Sequence, residues 1–288
     1  MGIDIQWPLV LFTLFSGIGG GLLVPAGIAQ LTGKNNNKAQ FAALVASLVL
    51  LVVGGCFSLL HLAAPHNVMA AVYNIFSFSG ISIELILLGV CFVIALVYVI
   101  LVKRAPESAA LKAMAVLGII AAVLLLYFCG HGYIMSSRPA WDTEMLPIAY
   151  LGTSLAGGAF AYGVVLGCSQ PAEDQCKAFG LVALVEAIIC ACACALYSFA
   201  VIGDAAEAST VAFWGGVVVC GIVLMLIVGV VSYLKLVPGN LMAVAIVGLV
   251  IAVIAILAVR VVMWNTSEGY LALFSLAANA SPYVSIIS

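Results

Sequence analysis

The stretch "ISIELILLGVCFVIALVYVILVKRAPES", from Ile81 to Ser108, decides the fold class of the chain. Residues 81–102 of this stretch are almost wholly apolar. A helix needs about 20 mainly apolar residues to cross the hydrocarbon core of a bilayer. The group KRAPES that follows carries charges and a proline, which prefer water and end helices. The stretch therefore predicts a transmembrane helix over 81–102.

The same pattern of an apolar run followed by a polar break recurs along the whole chain. It predicts eight spanning helices over residues 8–31, 41–63, 81–102, 112–132, 147–168, 178–201, 211–234 and 241–264. The breaks between them are short, so neighbouring helices are expected to be antiparallel. The predicted fold is an all-α integral membrane protein, an eight-transmembrane-helix bundle that forms a single membrane domain over residues 1–288.

The overall composition agrees with this class. Of 288 residues, 66% are hydrophobic and only 7% are charged, and the mean hydropathy is +1.32. A water-soluble domain cannot cover its surface with so few charges, so the lipid bilayer is the expected environment. The net charge of −2 provides no basic surface for nucleic acid.

The basic residues predict how the bundle is oriented. Seven of the nine lysines and arginines lie in the first, third, fifth and seventh connections. They are Lys34, Lys38, Lys103, Arg104, Lys112, Lys177 and Lys235. Cytoplasmic loops carry an excess of such residues. These connections are therefore expected in the cytoplasm, with both termini outside and the chain in the cell membrane as a multi-pass protein.

Five ionisable residues on the outer side of this topology are candidates for a functional site. They are His61, Glu84, His131, Arg138 and Arg260. Ionisable groups at membrane depth are costly, so each is a functional candidate. Four of them also have a structural alternative. His61 could bond a loop carbonyl, and Glu84 could pair with either arginine. His131 could sit at an ordinary glycine cap, and Arg260 could snorkel to water.

A histidine, a carboxylate and an arginine near one interface fit a quinol. Its two hydroxyls lose protons as electrons leave, and His61 and Glu84 can accept them. A haem bound between His61 and His131 is the alternative. Haem-binding quinone proteins usually hold histidine pairs within their helices, often in both leaflets, whereas every histidine here lies near an outer helix end. The nine cysteines lie mostly in apolar runs without a CxxC pair, so no metal site or iron–sulfur cluster is expected in this chain. Glu186 is separate from these candidates, and its role stays open.

Five short motifs spread along the chain carry a resemblance to a known family. They are "WPLVLFT" at Trp7–Thr13, "LHLAAP" at Leu60–Pro65, "SIEL" at Ser82–Leu85, "PAW" at Pro139–Trp141 and "RVVMW" at Arg260–Trp264. Together they resemble the membrane anchor subunit of dimethyl sulfoxide reductase.

The resemblance implies a function. An anchor of this family oxidises menaquinol and carries no haem. It passes the electrons to a four-cluster iron–sulfur subunit, which is held at the membrane with a molybdopterin catalytic subunit. The anchor does not itself act on the terminal substrate, so the sequence does not identify the terminal acceptor. The functional histidine and glutamate of the family correspond to His61 and Glu84.

The chain also departs from the family pattern. His131 stands where members often have an arginine, Ile256 where they have a glutamate, and Val259 where they have a glycine. His131 could therefore replace the family arginine in the quinone pocket. Two other functions stay open at this point. One is the anchor of a related molybdoenzyme, of polysulfide or tetrathionate type. The other is a secondary transporter, which the nearly charge-free midplane disfavours.

Overall fold

The computed structural model of the chain describes residues 5–60, 76, 79–138 and 140–267. Within these ranges eight helices are long and apolar enough to cross a membrane, and no strand is present. The predicted fold class, an all-α bundle of eight membrane helices, is therefore confirmed.

We number the spanning helices α1 to α8 in chain order. They are α1 (Trp7–Leu31, with a turn at Leu22), α2 (Asn37–Leu60), α3 (Gly80–Arg104), α4 (Ala110–His131), α5 (Met145–Gly167), α6 (Glu173–Ala208), α7 (a π-helical part, Val211–Leu224, and an α-helical part, Met225–Lys235) and α8 (Leu241–Asn265). The observed helices lie close to the expected ranges, and the largest difference is the extension of α6 past residue 201.

Helices α1 and α5 form the centre of the bundle. Along their most apolar windows 83% and 72% of the residues are buried, against 28% for α2 and for α3. The two central helices meet at Gly21 and Gly158, where a side chain added to Gly158 would collide with the backbone of Gly21. Lipid supplies no hydrophobic force between membrane helices, so their association depends on close packing. Small residues allow this packing because they let the backbones approach. The glycines of α1 and α5 thus allow the two helices to pack closely at the centre of the bundle.

The antiparallel helices divide the connections between two faces of the bundle. One, which we call the lysine face, holds residues 32–36, 105–109, 168–172 and 236–240. There Lys34 Nζ donates to Asp174 Oδ2 over 2.9 Å, and Asn36 Nδ2 donates to the Ser169 carbonyl over 3.4 Å. The other, the opposite face, holds the start of α3 and the end of α4. These bonds fix the first and fifth connections together on the lysine face.

Candidate functional site

Glu84 lies in the second turn of α3, near the opposite face. The helix begins at a serine cap, since Ser79 Oγ accepts a hydrogen bond from the backbone N–H of Ser82 over 3.3 Å. The Glu84 side chain reaches the end of α4, where a Cβ atom added to Gly132 would collide with Glu84 Oε1. Glycine at position 132 therefore leaves the space that the carboxylate occupies.

A second glycine brings the ends of α3 and α4 into contact. A Cβ atom added to Gly80 would lie 3.2 Å from the Cα atom of Gly132. We call the space formed by Gly80, Glu84 and Gly132 the carboxylate notch. Among the described residues Glu84 forms no ion pair, and Arg138 and Arg260 bind elsewhere. The notch therefore holds the side chain of Glu84 without a basic partner in the described part of the chain.

His131 is the last residue of α4, next to the notch in sequence. Its ring stacks on Phe128, with ring centroids 5.5 Å apart, and meets the edge of Tyr127 at 5.6 Å. The hydroxyl of Tyr127 donates to Glu144 Oε2 over 2.7 Å. The imidazole is therefore held against its own helix, partly exposed, at the height where α4 meets the opposite face.

Arg260 lies inside the bundle and is only 1% exposed. Its Nε donates to Thr13 Oγ1 over 2.9 Å, and its Nη1 donates to the Ile256 carbonyl over 3.0 Å. The guanidinium also lies 4.0 Å from the ring centroid of Tyr150, within range of a cation–π interaction. Burial excludes the snorkelling alternative, and the arginine instead ties α8 to α1 and α5.

Arg138 lies in the connection between α4 and α5. Its guanidinium lies 4.6 Å from the ring centroid of Trp141, and its Nη1 donates to the Ser267 carbonyl over 2.5 Å. The indole Nε1 of Trp141 donates to the Met263 carbonyl over 2.6 Å. These contacts hold the connection over the end of α8.

An aromatic cluster links the neighbourhood of the notch to Arg260. Tyr133 follows Gly132, and its ring lies 5.9 Å from Tyr150, 6.0 Å from Trp141 and 6.2 Å from Trp264. Tyr150 in turn packs on Arg260. Neither tyrosine was singled out from the sequence. The available signal was that tyrosine and tryptophan gather where apolar packing meets water.

His61 and Pro139 lie outside the described residues. The described part of α2 ends at Leu60. The last turns of α2 are anchored on α1. The rings of Phe57 and Phe15 stack with centroids 5.5 Å apart and nearly parallel planes, and Gly54 lies against Ser16, where an added Cβ atom would collide with Ser16 Oγ. Tight packing of α2 on α1 thus fixes the helix that leads to His61 in the sequence.

Glu186 and the cysteines are further polar groups in the described membrane region. Glu186 of α6 is 3% exposed, and neither of its carboxylate oxygens has a hydrogen-bond partner among the described residues. All nine cysteines are free thiols, and Cys190 Sγ lies 3.7 Å from the Gly221 carbonyl, to which it donates. In the described part of the chain no three His, Cys, Asp or Glu side chains are grouped so that they could hold a metal ion.

Comparison with known proteins bears on the resemblance drawn from the sequence motifs. A family model described as the DMSO reductase anchor subunit (DmsC) matches residues 1–267. No curated protein matches the chain at a significant level. The family match covers nearly the whole chain, from before α1 to beyond α8, and it confirms the resemblance.

Proposed function

Because the chain belongs to the DMSO reductase anchor subunit family, we propose that it binds and oxidises menaquinol and passes the electrons to an iron–sulfur partner subunit. Membership makes it a membrane anchor subunit of a dimethyl sulfoxide reductase-type complex. The observation that carries the quinol proposal is the carboxylate notch, in which Glu84 lies against Gly132 near the end of two membrane helices.

The chemistry of the notch suits a quinol. Menaquinol loses two electrons and two protons when it becomes menaquinone. Glu84 accepts one proton and His61 the other, and the electrons leave for the partner subunit. A carboxylate without a basic partner suits this role, because a fixed cation would hold it ionised and weaken it as a base. The proposal includes no haem and no iron–sulfur cluster in this chain.

The charge distribution indicates on which side of the membrane this reaction takes place. The lysine face carries most of the basic residues, which favours the cytoplasm. The opposite face, with the notch, the start of α1 and the end of α8, then lies outside the cell membrane. Protons released from the notch enter the outer medium. We propose His131, Arg138 and Arg260 as residues that shape or support the quinol site from the same half of the bundle.

Family membership implies association with a catalytic and an iron–sulfur subunit. We propose that these are a molybdopterin subunit and a four-cluster iron–sulfur subunit. Electrons should leave by the shortest path, so the iron–sulfur subunit docks on the opposite face, over the connection held by Arg138 and Trp141.

We expect single cysteines on the two faces to label from opposite sides of the membrane. In a cysteine-free background, Ser137→Cys should react with a membrane-impermeant maleimide added to intact cells, whereas Ser108→Cys should react only after the cells are opened. The two positions are a matched pair of serines in connections on opposite faces. Labelling of position 108 from outside would reverse the proposed orientation.

Deleting the chain is expected to separate the two activities of the complex. The catalytic subunits should leave the membrane fraction and keep reducing dimethyl sulfoxide with a soluble reduced dye, because the dye bypasses the anchor. Reduction driven by menaquinol should disappear. Fractionation followed by both assays measures this. Membranes that keep quinol-driven reduction without the chain would show that another subunit oxidises the quinol.

A further inference from the structure

An apolar groove runs between α2 and α3 on the side of the bundle that faces lipid. It encloses about 310 Å³. Its wall on α2 includes Leu51 and Gly55, and its wall on α3 includes Leu88, Gly89 and Phe92. No charged side chain lines the groove, so a hydrocarbon chain fits it and a polar group does not.

Two glycines keep this groove open. A Cβ atom added to Gly89 would have no neighbour within 4 Å, and one added to Gly55 would meet only the side chain of Leu88, at 3.4 Å. The glycines are therefore not required for close helix contact, in contrast to Gly21 and Gly158 in the core. What glycine provides at these two positions is empty space.

The groove begins on α3 at the level of Glu84. Leu85, which follows Glu84 in the chain, lines it, and Leu88 lies one turn further along the same side of α3. Phe92 is eight residues beyond Glu84, which places it about 12 Å deeper along the helix axis. The groove thus extends along α3 from the level of Glu84 towards the middle of the membrane.

We propose that this groove holds the first isoprene units of the quinol tail while the ring lies at Glu84. The inference rests on the proposed quinol function and adds the part of the site that recognises the tail. A prenyl tail is the occupant that the position favours, because the groove starts on α3 one residue after Glu84 and a quinol must keep its ring at the carboxylate and its tail in hydrocarbon. The lateral opening lets the tail enter from the bilayer.

Gly89→Leu fills the groove and is expected to raise the KM for a long-tailed menaquinol about tenfold. The KM for menadiol, which has the same ring without a tail, should change less than about twofold. Gly215→Leu is the matched control, since Gly215 is also an exposed glycine of a membrane helix with nothing within 4 Å of an added Cβ. It should change neither value.

Gly89→Ala is a milder variant that should shift the same tail-dependent ratio in the same direction. Dye-driven activity in the same membranes measures how much assembled complex is present. An equal change for both quinols, or no change for either, would overturn the tail assignment, and the second result would leave the groove to membrane lipid. If the wild-type complex oxidised neither quinol, the proposed function itself would fail, which is a different result.

Discussion

Replacing Arg260 with alanine is expected to lower the free energy of unfolding of the anchor by about 3 kcal/mol, near the middle of the range for truncating a large buried side chain. The arginine is 1% exposed, and its guanidinium bonds Thr13 of α1 while it stacks on Tyr150 of α5. Alanine would leave a cavity and remove the donors for these groups, which lie where water cannot replace them. The helix content of the purified anchor, followed during denaturation in detergent, measures the change.

Arg138→Ala is the control for this prediction. Arg138 also stacks on an aromatic ring and donates to a carbonyl, but it is partly exposed, so its loss should cost about 1 kcal/mol or less. Arg260→Met restores the bulk without the donors and should recover only the part of the stability that the cavity costs. Equal denaturation midpoints for Arg260→Ala and the wild type would contradict the described role.

The eight helices follow from the sequence because the bilayer imposes a simple rule. A spanning segment must satisfy its backbone hydrogen bonds internally and remain apolar over about 20 residues. The run at 81–102 accordingly appears as the helix Gly80–Arg104. The polar breaks are equally visible, since Gly, Pro, Asn and charges end helices.

The far end of α6 shows where this rule is insufficient. The polar segment "GDAAEAS" at residues 203–209 predicts a break between helices. The helix continues through it to Ala208. Alanine and glutamate are strong helix formers. The polar residues of this segment therefore end the apolar run but do not end the helix.

The candidate site was visible from the sequence only in part. Glu84 is conspicuous because a carboxylate is rare in such an apolar run. Its contact with Gly132 was not predictable, because a glycine after a helix also fits an ordinary cap. The sequence alone does not decide whether Arg260 reaches water or a ligand, since its partner Thr13 is 247 residues away. Contacts between distant segments determine the surroundings of both Glu84 and Arg260. Such contacts leave no local pattern in a single sequence.

Glu84→Gln is expected to slow menaquinol-driven reduction of dimethyl sulfoxide by about 100-fold or more, the usual contribution of a general base. Glutamine keeps the size and hydrogen bonding of the side chain but cannot accept the quinol proton. A quinone-analogue inhibitor should therefore bind almost as tightly as before. His61→Ala, which removes the other proposed proton acceptor, should abolish quinol-driven reduction as well.

Glu144→Gln is the matched control, because Glu144 is a carboxylate near the same face that bonds Tyr127 outside the carboxylate notch. The most direct test is the ratio of quinol-driven to dye-driven reduction in membranes that contain each variant. We expect this ratio to fall about 100-fold for Glu84→Gln and to stay at the wild-type value for Glu144→Gln. A wild-type ratio for Glu84→Gln would contradict the proposal that the notch is the quinol site.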